Sequence, residues 1–268
     1  MKYFFRFFLG VILFAALLLL IAFAVLPLPG TVPVLMYHFL GSQKDAQASK
    51  NFITEKSFSR QMDFLHRFGY RVISLEEYYE IRKGARKPRG REIVLTFDDG
   101  NETFPTTAYP ILKKHRFPVT LFLVSESVKR GINGSMVEQA IKELLSNSWI
   151  SIASHTRTHP FLSQMSEDQI HEELFGSKAD LQKMFGRPIG DLSYPSGDFD
   201  RRVMEIAKTA GYRMAFTTSV KKLKGIPEGD YAILRQKISR TSDNLFIFWF
   251  NINGIYQLYK TSAARHKT

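Results

Sequence analysis

The chain opens on an uninterrupted apolar run and then settles into short apolar stretches separated by mixed segments. Residues 7–28 carry no charge. As a helix they would reach roughly 33 Å, enough to cross a ~30 Å hydrocarbon core. Beyond them, apolar and β-branched runs at 32–37, 71–75, 92–97, 119–124, 149–153, 191–194, 214–217 and 232–238 predict eight strands. Residues 57–68, 106–115, 135–147, 166–185 and 200–210 carry helical periodicity and end signals. Residues 241–254, with Phe246, Phe248, Trp249 and Phe250, read as a last helix. This alternation predicts an α/β fold with a parallel sheet, and eight strands suffice to close a (β/α) barrel. Phe68-Gly69-Tyr70 and Ala210-Gly211-Tyr212 repeat one helix ending, each glycine supplying a left-handed cap before the next strand.

At 268 residues and 44% hydrophobic side chains the chain can bury one sizeable core. Three parts are expected: an anchor or signal segment at 1–30, one catalytic barrel at 31–255 and a basic tail at 256–268. Lys2 and Arg6 precede the apolar run, so the positive-inside preference places the barrel outside the cytoplasmic membrane. Ala22-Phe23-Ala24 offers small residues for cleavage, which would release the protein. The run is longer than a usual signal core, however, which favours a retained single-pass transmembrane helix. With no cysteine, an exported protein must be stabilised by core burial. The net charge of +12 suits an anionic partner, and export excludes nucleic acid, leaving anionic envelope material. Arg82, Lys83, Arg86, Lys87, Arg89 and Arg91, broken by Gly84, Pro88 and Gly90, read as a solvated basic loop, with contact to an anionic surface as the sharper alternative.

Polar residues gather where strands end, the face on which parallel barrels carry chemistry. His38, Asp98-Asp99, His155 with His159, and Tyr194-Pro195-Ser196-Gly197 each follow an apolar run. Singly, an Asp-Asp-Gly is a turn and a histidine after a strand is a core residue. Jointly, two imidazoles and a carboxylate make a divalent-metal site with a position left open for water. A second carboxylate beside it can act as base. Side chains alternate along a strand, so Asp98 and Asp99 should divide these roles unless the strand has ended. His66, His115, His171 and His266 receive no role.

Thr96-Phe97-Asp98-Asp99-Gly100 together with His155-Thr156-Arg157-Thr158-His159 resembles the polysaccharide deacetylases, carbohydrate esterase family 4 with its NodB homology domain, across about residues 32–238. The resemblance implies a distorted (β/α) barrel. It makes Asp98 the general base and Asp99, His155 and His159 the ligands of a divalent metal, most often zinc. The chain departs from the common pattern in three places. Ser193 stands near the position of an Arg that tunes the base, and Ser196 stands where Tyr is usual. The family uses that residue's backbone N–H for the oxyanion, a role Ser196 can keep. Leu234-Arg235-Gln236 offers no late histidine, but Pro33-Val34-Leu35-Met36-Tyr37-His38 resembles the subgroup acting on poly-N-acetylglucosamine, which implies His38 as the acid.

The implied reaction removes N-acetyl groups from N-acetylglucosamine residues of an extracytoplasmic polysaccharide and releases acetate. Peptidoglycan or chitooligosaccharide are alternative substrates, and an inactive glycan-binding envelope protein is the alternative of another class. Tyr37, Tyr194 and Phe199 are expected to form sugar platforms, with Pro195 and Ser196 also at the substrate. Expected partners are the polysaccharide, the membrane through the N-terminal helix, and polysaccharide synthesis or export machinery.

Overall fold

The structure is a computed structural model. It describes residues 30–42, 44, 49, 51–132, 134–226 and 229–253, with scattered positions among the first 14. The expected transmembrane segment and basic tail fall almost wholly outside these residues. Among the described residues no helix is long and apolar enough to cross a membrane.

In chain order the strands are β1 (Val34–Tyr37), β2 (Phe39–Gly41), β3 (Phe52–Thr54), β4 (Arg71–Ile73), β5 (Glu92–Phe97), β6 (Val119–Leu123), β7 (Ile150–Ser154), β8 (Asp191–Ser193), β9 (Met214–Thr217), β10 (Ile233–Leu234) and β11 (Gln236–Lys237). The main sheet runs β10-β9-β8-β7-β6-β5-β1-β11, with β4 added beside β5, and every pairing in it is parallel. β10 and β11 lie at opposite ends of that order yet are separated in sequence only by Arg235. One extended segment therefore pairs with β9 through Leu234 and with β1 through Gln236. It draws the two edges of the sheet together into a nearly closed barrel.

Strands covered on both faces should be apolar throughout rather than alternating, and every residue of β1, β5 and β6 is buried. Val34, Val94, Phe122, Ala153, Met214 and Phe216 form an inner core, to which the helix α2 (Leu75–Arg82) adds Leu75 and Tyr78. The larger core lies between the strands and the outer helices.

Helix ends follow the local chemistry. Thr54 caps α1 (Glu55–Arg67), and its hydroxyl accepts from Ser57 N–H at 3.1 Å. Gly69 and Gly211 take φ values of 68° and 75°, closing the two matching helix ends. The expected helix at 106–115 begins as a π-helical turn at Phe104–Ala108, where Pro105 and Pro110 interrupt regular bonding, and continues as α3 (Tyr109–His115). α4 (Ser125–Arg130) follows β6, α5 (Glu138–Leu144) occupies the middle of the segment expected at 135–147, and α6 (Glu167–Phe185) and α7 (Arg201–Thr209) form as expected. The last helix is shorter than the pattern suggested. A 3₁₀ turn at Arg240–Asp243 leads to α8 (Leu245–Ile252), which buries Phe248 and Ile252 and leaves Phe246 and Phe250 exposed.

The basic run is less solvated than its composition suggests. Arg86 and Arg71 converge on the buried carboxylate of Glu92 at the start of β5, at 3.1 and 2.6 Å. Arg82 and Lys83 both reach Asp230.

Candidate metal and catalytic site

β5 ends at Phe97, and the backbone turns at once. Asp99 has φ 68° and Gly100 φ 65°. A Cβ at Gly100 would meet Leu123 Cδ2 at 2.7 Å, so only glycine lets the turn pack against the end of β6. Because the strand has ended, alternation no longer separates the two carboxylates. His155 Nε2 lies 3.7 Å from Asp98 Oδ2 and 3.6 Å from Asp99 Oδ1.

The second motif is built after β7. His155 N–H donates to Leu123 O at 2.8 Å, which fixes where the chain leaves the sheet. Thr156 and His159 both have positive φ, at 67° and 68°. The turn is held from below by Glu173 of α6, a buried carboxylate. Its Oε2 accepts the N–H groups of Arg157 and Thr158, each at 2.9 Å, and its Oε1 accepts the Thr158 hydroxyl at 2.6 Å. Among the described residues, four of the six non-glycine residues with positive φ, Asp99, Thr156, His159 and Ser196, belong to these motifs. Backbone strain is thus concentrated where side chains must be aimed.

Ligand atoms of Asp99, His155 and His159 all lie within 4.8 Å of one another. The chemistry of the set fits a divalent ion. His155 Nδ1 faces Ser193 O at 2.8 Å, which fixes the donating nitrogen there and leaves Nε2 as the ligand atom. Burial lowers the His155 pKa and favours the neutral ring that ligation requires. Burial, together with the adjacent Asp98 charge, pushes the Asp99 carboxyl up against the pull of the two imidazoles, a cost that a cation would relieve.

Asp98 has a different environment. Arg235 grips it with two parallel bonds, Nη1 to Oδ1 at 2.7 Å and Nη2 to Oδ2 at 2.5 Å. Arg235 Nη2 also donates to Ser193 Oγ at 2.6 Å, and Nη1 to Thr96 Oγ1 at 3.0 Å. Burial alone would raise the Asp98 carboxyl. The Arg235 charge, then His155 and the hydrogen bonds, outweigh it and hold Asp98 well below the usual carboxylate range. The guanidinium that seemed missing at Ser193 therefore enters from the barrel-closing segment, and Ser193 makes room for it. In Leu234-Arg235-Gln236, which has no imidazole, the functional group is the arginine.

His38 follows β1 and is half-buried, and its Nδ1 has no partner among the described residues. Burial lowers its pKa to about 4, with Asp98 pulling upward and Arg235 and Lys237 downward. It is therefore neutral at rest near pH 7 and must gain a proton before it can act as the acid that the resemblance implies.

Ser196 is exposed, with φ 53° in the turn that Pro195 starts. The proposed sugar platforms need correction. Tyr37, Tyr194 and Phe199 are each 1% exposed. Tyr37 stacks on Phe97 and donates its hydroxyl to Gln61, and Tyr194 stacks on Phe199 and donates to Tyr231 O. Pro195 is buried as well. These rings support the site from within the core and cannot stack on a sugar.

The polysaccharide deacetylase family model matches residues 85–215, and the chain belongs to that family of amide-cleaving enzymes. YxkH of Bacillus subtilis (strain 168), which carries the name polysaccharide deacetylase, is 31% identical over 79% of this chain and 72% of its own length. The poly-β-1,6-N-acetyl-D-glucosamine N-deacetylase of Staphylococcus aureus (strain MRSA252) is 28% identical over 75% of this chain and 72% of its own. The Streptococcus pyogenes deacetylase PplD, solved in complex with acetate, superposes with a TM-score of 0.73 at 28% identity, covering 82% of this chain and 97% of that one.

Proposed function

We propose that this chain removes acetyl groups from N-acetylglucosamine units of a polysaccharide outside the cytoplasmic membrane, in a reaction that depends on a divalent metal, which the two imidazoles and one carboxylate suit as zinc. The observation that carries the reading is the Asp99, His155 and His159 cluster beside an Asp98 locked in its ionised form by Arg235. The Staphylococcus aureus relative, named for a β-1,6-linked N-acetylglucosamine polymer, supports that polymer class as substrate. The uncharged run at 7–28 supports an external, tethered barrel.

Asp99, His155 and His159 would hold the ion, and the chemistry it supplies when bound is polarisation of the acetamide carbonyl and acidification of the attacking water. Asp98 accepts the proton from that water. Its low basicity suits a water that is already acidified, and Arg235 keeps its oxygens aimed throughout. The Ser196 N–H, carried on an exposed left-handed turn, donates to the carbonyl oxygen as negative charge develops there. His38 delivers a proton to the departing amine. Being neutral at rest, it relays to the amine the proton that Asp98 took from the water, which returns Asp98 to its ionised form. Acetate and a free sugar amine leave.

The test is acetate release by the full chain in detergent micelles from N-acetylglucosamine oligomers, with chelator and then with zinc restored. Release that is lost to chelator and recovered with zinc is the expected result. No release from any N-acetylated glycan by zinc-loaded protein would overturn the reading in favour of a glycan-binding role.

A further inference from the structure

Next to the site, between the barrel-closing segment and α8, lies a cavity of about 370 Å³, within the size range of small-ligand sites. Arg235 lines it and also grips Asp98, so the cavity adjoins the place of reaction. Its wall includes two cations, Arg235 and Lys237, and no acidic side chain. Asp98 balances Arg235, whereas Lys237 is exposed and makes no ion pair among the described residues. The hydroxyl groups of Thr218, Ser239 and Thr241 add donors to the lining. Phe250 and Ile247 supply apolar wall. The lining thus offers donors, positive charge and an apolar side, and it lacks anionic acceptors.

An intact acetamido group matches such a wall, because its carbonyl accepts and its methyl is apolar. A sugar ammonium does not, because it brings three donors and no acceptor toward a lysine. We propose that this cavity is the subsite for the sugar unit adjoining the one being deacetylated, and that Lys237 makes it accept an acetylated neighbour and disfavour a free amine. This rests on the deacetylase reading above. Each turnover then marks its own product against reaction next door, and acetyl groups come off separated units rather than consecutive ones.

The experiment uses the full-length, zinc-loaded protein at pH 6. Substrates are N-acetylglucosamine oligomers that are fully acetylated or carry one free amine at a known position, with products sequenced by mass spectrometry. The expected result is that kcat/KM for a unit beside the free amine is about tenfold below that for the same unit in the fully acetylated oligomer, the order of one like-charge contact in a partly hydrated groove. That ratio should shrink in Lys237→Gln, invert in Lys237→Glu and relax toward one as salt is raised. A purely structural role for Lys237 would not order the ratio by charge. Wild-type products with runs of adjacent amines, or a ratio unchanged across the three side chains, would overturn the subsite while leaving the deacetylase reading intact. Absence of acetate from every oligomer would overturn both.

Discussion

Asp98 and Arg235 are each about 2% exposed, and neither can be changed alone without stranding the other. Arg235→Met should leave an uncompensated buried carboxylate, at a cost of about 3–5 kcal/mol in chemical unfolding. Arg235→Lys keeps the charge but loses the two-pronged grip. It should lower kcat by about 10–100-fold, equivalent to about 1.5–3 kcal/mol, with little change in KM. An equally reduced folded fraction in circular dichroism would trace the loss to misfolding instead, and a KM that rises as much as kcat falls would trace it to substrate positioning. Asp98→Asn should abolish acetate release while glycan binding persists, measured by calorimetry on the inactive protein. At this scale the sequence made the ligand candidates readable, because Asp99, His155 and His159 sit where apolar strands stop. It hid Arg235, whose partner lies 137 positions earlier in the chain. It also made Tyr37 and Tyr194 look like binding residues, since an aromatic side chain at a strand end reads the same whether its ring faces a cleft or a core.

Elements position what residues perform. The loop after β7 carries two candidate ligands on a strained turn, and α6 holds that turn through Glu173. Replacing Glu173 by Gln turns one of its two accepting oxygens into a donor facing donors. Zinc affinity should fall by about 10–100-fold, with acetate release recovered at saturating zinc. Loss that excess zinc fails to recover would place the damage elsewhere than in ligand positioning. The strand-and-helix alternation was visible because the central strands β1, β5 and β6 are buried on both faces and the long helices α1, α6 and α7 have side-chain caps. α2 escaped notice because Leu-Glu-Glu-Tyr-Tyr-Glu-Ile-Arg presents no continuous apolar stripe, and its start rests on a capping box between Ser74 and Glu77. β2 and β3, at three residues each, are too short for any period to register.

For the whole molecule, buried charge outside the site links stability to pH. Burial pushes the Glu92 carboxyl up, but hydrogen bonds from Arg86, the Arg89 N–H and Arg71 prevail and leave it lowered. Its folded-state pKa lies below the unfolded value of about 4.3. Its contribution is therefore complete above that pH and is lost as pH falls through the folded value. Glu92→Gln should make the decline in unfolding free energy below pH 4.3 shallower, with remaining slope from other lowered carboxyls, among them Asp98, Asp198 and Asp63. Zinc should raise the melting temperature progressively with concentration, by about 2.7 kcal/mol of stability at a hundred times its Kd. The charge and the apolar run could be read from composition alone, whereas the closing of the sheet by one short segment could not, because it depends on which edges meet. That closure has a temporal consequence. Arg235 occupies the single residue between the two ladders that shut the barrel, so the base acquires its counter-charge only when the last strand docks. A chain still emerging, or clipped before residue 233, carries every candidate metal ligand and still has an unarmed Asp98. Hydrolytic competence therefore waits on closure of the barrel, and a chain that lacks the closing segment should still bind metal while leaving acetamide bonds uncut.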